Sequence, residues 1–175
     1  MKHGFVCRMA LLLCLLMLLP LAAAATQEAA EETVEYTTGG AVYRVWAGWT
    51  RVAEDGADCY YRESADNALA GYLAVAETDA GSNAVTEELL RLTAAEMLRQ
   101  YGAKDREPVS GELAGHAGLW FSCPLAGAEG SAACFLCADG GKILCMTLIM
   151  EKIPEEDALA RLTEAVATLR FSARE

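Results

Sequence analysis

Histidine is almost missing from this chain. Of 175 residues two are histidine, and only His116 lies beyond the N-terminal leader. Histidine-based triads and multi-histidine metal centres are therefore excluded on inventory. His116 sits between glycines at Gly115 and Gly118 and reads as an exposed turn residue. Clustered cations are missing too. Lys and Arg are scattered singly, so no surface can track a phosphate backbone, and nucleic acid is excluded as a partner. Anionic lipid headgroups are disfavoured for the same reason. No apolar run after residue 30 is long enough to span a bilayer, so the mature chain has no membrane span. No glycine-rich stretch has phosphate-loop spacing, since Gly39-Gly40 and Gly140-Gly141 both read as turns.

What is present is acid, apolar bulk and a leader. Net charge is −11, and hydrophobic residues make up 54% of the chain, which rules out wholesale disorder. Lys2, His3 and Arg8 form a basic start, and Met9 to Leu19 is unbroken apolar sequence. Pro20 interrupts it, and Ala23 and Ala25 supply the small side chains that a signal peptidase accepts. Residues 1–25 are accordingly read as a secretory signal peptide, with the mature chain starting at Thr26. An uncleaved anchor is the rival reading. A lipoprotein is disfavoured, because Cys14 follows the large Leu13. Without the leader, 12 basic residues face 25 acidic ones, which keeps the surface soluble and self-repelling. The expected location is secreted or associated with the cell envelope.

Residues 26–33 are acidic, lack large apolar groups and read as a mobile tether. A single domain is expected over 34–172. Val42, Tyr43 and Val45 lie in a strand ending at Trp46, and Ala47-Gly48-Trp49 breaks it. Cys59 to Arg62 and Leu69 to Glu77 are further strands. The period then changes to 3.6. Thr86 caps a helix, Glu87 and Glu88 fill its first turn, and Leu90, Ala94, Met97, Leu98 and Tyr101 lie on its apolar side. Gly102 stops it. After Pro108 come strands at Val109 to Leu113, Leu119 to Cys123, Ser131 to Ala138 and Lys142 to Met150. Turns are expected at Gly115 to Gly118, Gly127 to Gly130 and Asp139-Gly140-Gly141. The last three strands are apolar on both faces, so they should form a central sheet covered on both sides. A final helix opens at Pro154 and buries Ala158, Leu162, Ala165, Val166 and Leu169. The fold class is α+β: an antiparallel β-sheet with helices packed on it.

Five cysteines follow the leader. Cys134 and Cys137 have C-x-x-C spacing, but both fall within one strand and so point to opposite faces. A redox pair or a zinc knuckle is not expected there, and no cofactor or metal is assigned. A four-residue loop at Gly127 to Gly130 would set Cys123 directly opposite Cys134, making them a candidate disulfide. A turn at Asp139-Gly140 would set Cys145 opposite Cys134 instead. Either way Cys123, Cys134 and Cys145 share one face and Cys137 takes the other. Tyr43, Trp46, Trp49, Tyr60 and Tyr61 form a candidate aromatic binding surface, with core packing as the plainer reading. Glu77, Asp79, Glu87 and Glu88 read as a solvated face, although a carboxylate-dependent hydrolase could use two converging acids.

The run Val42-Tyr43-Arg44-Val45-Trp46-Ala47-Gly48-Trp49 resembles the opening of PsbP-like domains. Leu113 to Trp120 is similar to their middle. The hairpin at Asp139-Gly140-Gly141-Lys142 and the ending Ala167-Thr168-Leu169-Arg170-Phe171 are similar to their close. One departure is Ala47, where family members often carry proline. The resemblance implies an α/β/α sandwich of PsbP-like type. It also implies a non-enzymatic binding or accessory protein, with exported bacterial members common, and it transfers no catalytic residue. The expected partner is a protein or a small apolar ligand. A lipid or small-ligand carrier is the alternative, and a cavity above about 300 Å³ would favour it.

Overall fold

Alternation of apolar and polar residues in Ala41–Trp46 builds a strand with one face turned inward, and the segment before it pairs with it. The computed structural model describes residues 31–54, 57–64, 69–81 and 84–172. The leader, tether residues 26–30 and the Asp55-Gly56 turn lie outside the described residues. From Thr33 onward the chain forms one compact unit. Strand β1 (Thr33–Thr38) pairs antiparallel with β2 (Ala41–Trp46), and Thr33 faces Trp46. The tether reading therefore ran too far: Thr33 belongs to the fold. Strands β3 (Thr50–Glu54), β4 (Ala57–Glu63) and β5 (Leu69–Asp79) follow, then helix α1 (Glu87–Gln100). Next come β6 (Val109–Leu113), β7 (His116–Pro124), β8 (Gly130–Asp139), β9 (Lys142–Glu151), helix α2 (Glu155–Ala167) and the short β10 (Arg170–Phe171).

The strands form two antiparallel sheets. One has three strands in the order β1-β2-β10, and the other seven in the order β3-β4-β5-β9-β8-β7-β6. Apolar residues project from both faces of the larger sheet, as the sequence implied. Leu73, Val75, Phe135, Cys137, Leu144, Met146 and Leu148 enter a core closed by α2 and β2. Leu119, Phe121, Cys123, Ala132, Cys134 and Leu136 enter a second core closed by α1. The result is an α+β sandwich with a helix on each face of the sheet. Each fully buried leucine contributes about 2 kcal/mol. In α1, Thr86 accepts from the Leu89 amide at 3.2 Å, and Leu90, Ala94 and Leu98 are buried. Among the described residues no helix is long and apolar enough to cross a membrane.

Three turns differ from expectation. The β6–β7 turn is Ala114-Gly115, with Leu113 facing His116, so His116 opens a strand. Between β7 and β8, Gly130 joins the strand: its carbonyl accepts from the Leu125 amide at 3.0 Å, and it pairs with Glu151 of β9. The loop is thus Ala126 to Glu129, one residue earlier than expected. Cys123 then faces Ala132 and Cys134 faces Phe121. The direct opposition of Cys123 and Cys134 does not form, and both thiols are free. Between β8 and β9, Asp139 faces Lys142, which makes Gly140-Gly141 the turn. Their φ values of 51° and 93° suit a hairpin turn that needs positive φ twice. Cys134 accordingly faces Thr147, and Cys145 faces Leu136. Both registers move by two residues, an even shift. Cys123, Cys134 and Cys145 therefore keep the shared face, and Cys137 lies in the opposite core.

Candidate functional site

Strand β2 lies over the large sheet, and its inward residues meet β4 along a polar seam. Tyr43 and Tyr60 are fully buried, with hydroxyls 2.8 Å apart. The Thr38 hydroxyl lies 2.6 Å from that of Tyr43 and donates its proton to Asp58. Thr38 has one proton, so Tyr43 must donate to Thr38 and Tyr60 to Tyr43. Asp58 also accepts from Arg51, at 3.0 Å from Nε and 2.6 Å from Nη2. The relay runs from a buried phenol to a guanidinium open to solvent. Arg51 also lies 5.5 Å from the centre of the Tyr36 ring, which packs 4.8 Å from that of Tyr60.

Burial raises the pKa of both buried phenols. At Tyr43 hydrogen bonds to Thr38 and Tyr60 oppose the rise, whereas at Tyr60 the bond to Tyr43 adds to it. Both stay neutral and protonated at physiological pH, so neither can act as a base. The seam fastens one sheet to the other.

The two indoles of the aromatic group stack beside it. Trp46 and Trp49 have ring centres 5.2 Å apart and are buried, and Arg161 lies 5.6 Å from the centre of the Trp46 ring. Trp49 needs Gly71 beneath it, because a Cβ there would come within 2.8 Å of Trp49 Cη2. Tyr61 points to the opposite face, against Tyr72 at 5.0 Å between ring centres. The expected aromatic surface is therefore not one surface. Four of its members are core, because β2 and the β2–β3 turn cover that side of the sheet.

The structure assembles another group that the sequence did not bring together. Cys134 on β8 and Cys145 on β9 have sulfurs 3.6 Å apart. Met97 of α1 sets its sulfur 3.8 Å from each. The Thr147 hydroxyl lies 3.6 Å from the Cys134 sulfur and 3.5 Å from that of Cys145. Burial holds Cys134 up as a thiol. Cys145 is the partner that ionises first, because Cys134 can donate to its anion. Tyr101 borders the cluster, and burial in the first place, then the neighbouring thiols, raises its phenol above the ordinary value, so it too stays neutral. The shared strand face and the Met97 side of α1 were both legible, but the convergence of their sulfurs on one point was not.

No family model matches the chain, and no curated protein does. Solved structures do. Cyanobacterial PsbP from Synechocystis matches with a TM-score of 0.56 at 12% identity, over 85% of this chain and 97% of that one. The Ran-binding protein Mog1p of Saccharomyces cerevisiae gives 0.56 at 11%, over 81% and 96%. A Bacteroides thetaiotaomicron protein gives 0.53 at 12%, over 81% of this chain and 48% of that one, so this chain spans about half its length. The fold is that of PsbP and Mog1.

On this PsbP/Mog1 frame, the Gly48-Trp49 step is the turn that places Trp49 against Gly71. A surface cleft of about 250 Å³ opens between Tyr101, Ala103, Asp105, Arg106, Pro124 and Leu125. That is below the ~300 Å³ at which drug-sized ligands are usually held. Arg106 in its wall is engaged by Glu155 and by the Ser122 carbonyl. The acids considered as a hydrolase pair have separate duties. Glu77 pairs with Lys142 at 2.5 Å and accepts from the Gly40 amide, Asp79 accepts from the Gly81 amide, and Glu87 pairs with Arg91. Among the described residues no group of three or more His, Cys, Asp or Glu converges.

Proposed function

We propose that this chain is an exported, non-enzymatic binding or accessory domain that works by docking to a protein partner. The carrying observation is the fold. The same frame occurs in Mog1p, which binds Ran, and in cyanobacterial PsbP. The leader pattern at residues 1–25 supports export. The polar seam supports a scaffolding role, since its phenols are neutral and its charges are already paired. The small-ligand carrier finds no support in the cleft at Arg106, which is shallow and partly closed by the Glu155 ion pair.

The test is isolation of the tagged full chain from its own cells, without detergent, followed by N-terminal sequencing and native mass spectrometry. A start at Thr26 and a protein partner held at fixed stoichiometry are expected. A start at Met1 would mean that the leader is retained as an anchor. A bare chain carrying a lipid-sized mass would overturn the accessory reading in favour of the carrier.

A further inference from the structure

The sulfur triangle between α1 and the sheet has the dimensions of a metal site. Its sides are 3.6, 3.8 and 3.8 Å. The point equidistant from all three sulfurs lies about 2.2 Å from each, close to the ~2.3 Å of a d¹⁰ metal–thiolate bond. The donors come from three separate elements. Cys134 is fully buried on β8, while Cys145 on β9 and Met97 on α1 are half-buried and give access from the surface. We propose that Cys134, Cys145 and Met97 form a three-coordinate site for a soft monovalent cation of the Cu(I) class.

Donor chemistry selects the ion. Two thiolates and a thioether form a soft set, which favours Cu(I) over harder cations. Zinc asks for four tetrahedral donors, usually thiolate, imidazole or carboxylate. The side-chain oxygen in contact with both sulfurs belongs to the neutral Thr147 hydroxyl. Binding forms three metal–sulfur bonds, and the thiol protons leave to solvent. Copper stays Cu(I) throughout, so no electron moves. The C-x-x-C partner Cys137 takes no part, because it faces the opposite core. A disulfide is a poor competitor, because Cys134 and Cys145 are diagonal across the β8–β9 pair and their sulfurs would have to close to about 2.05 Å. This inference is independent of the accessory reading.

The test is anaerobic titration of the reduced full chain with Cu(I) held by a coloured chelator. The wild type should withdraw a single equivalent. X-ray absorption should show sulfur-only ligation at about 2.3 Å. Cys145→Ala should lose about a hundredfold or more in affinity, and Met97→Leu about tenfold, on the scale of lost metal-site groups. Cys123→Ala and Cys137→Ala should bind as the wild type does. Circular dichroism of each variant checks its fold. Met97→Leu, which keeps volume, reports on the site even where a cysteine variant unfolds. Failure to hold copper against the chelator would overturn the proposal, as would equal binding by Met97→Leu and the wild type. Nitrogen or oxygen ligation, or zinc retained in preference, would overturn it too. Simple packing of unreactive thiols predicts the first of these results.

Discussion

Asp58 is a carboxylate almost shut off from water, and Thr38 and Arg51 supply the donors that make its burial tolerable. Arg51→Met removes two of those donors, and the expected cost is about 1–3 kcal/mol. Arg44→Met removes an exposed ion pair with Glu35 and should cost under about 0.5 kcal/mol. Urea titration of both variants checks the contrast, and equal costs would mean that the seam contributes nothing special. Burial also fixes a pH dependence. It pushes the Cys137 thiol from 9.0 up to about 12, with Asp139 and then Cys145 adding to the rise, and it raises Tyr43 and Tyr60 above 10.0. In the unfolded chain these groups release protons at their ordinary values, while the folded chain holds them. The unfolded state then binds fewer protons, so stability is full below about pH 9 and falls as pH rises toward 12. The urea midpoint should be flat from pH 6 to 8 and should drop above 9. Cys137→Ala should soften that drop. The sequence showed which residues of β2 and β4 share a face. It could not show which layer covers that face, and so a binding surface stood as the alternative to the plainer reading of core packing.

Helix α1 was legible because several signals coincide. Thr86 caps it, acids fill its first turn, and apolar residues recur at 3.6. Leu98→Ala should cost about 2–5 kcal/mol, because Leu98 is 1% exposed in a packed core. Leu92→Ala, at 64% exposure, should stay within about 0.5 kcal/mol. Equal losses in a denaturant titration would rotate the helix. Strands β1 and β3 were not read, and for a physical reason. Both lie at sheet edges, and polar residues dominate them, so neither shows a buried period. Turn positions were the other weak point, because adjacent glycines allow several two-residue choices. At Ala114-Gly115 the turn puts a non-glycine at φ 51°, a conformation that disfavours alanine. Ala114→Gly or Ala114→Asn should therefore raise stability by about 0.5–1 kcal/mol. A loss would mean that the methyl group makes a contact worth more than the strain.

Over the whole molecule, strand β8 joins the layers. Ala133, Phe135 and Cys137 enter the core beneath α2 and β2, while Ala132, Cys134 and Leu136 enter the core beneath α1. The small sheet has no core of its own. Its Tyr43, Val45 and Trp46 pack in the same cluster as Leu73, Phe135, Met146 and Leu162. A three-stranded sheet without a private core cannot unfold independently at low cost, so one cooperative transition is expected. The three tryptophans provide a direct probe. Trp46 and Trp49 report on the seam, and Trp120 on β7 reports on the large sheet. In Trp120→Phe, seam fluorescence and far-UV circular dichroism should trace the same urea transition. Phe135→Ala should move both by the same amount, with a loss of about 3–5 kcal/mol. A seam signal that melts first while the dichroism holds would show that the small sheet docks on a separately stable sandwich. In that event the polar relay from Tyr60 to Arg51 would be a latch and not part of the core.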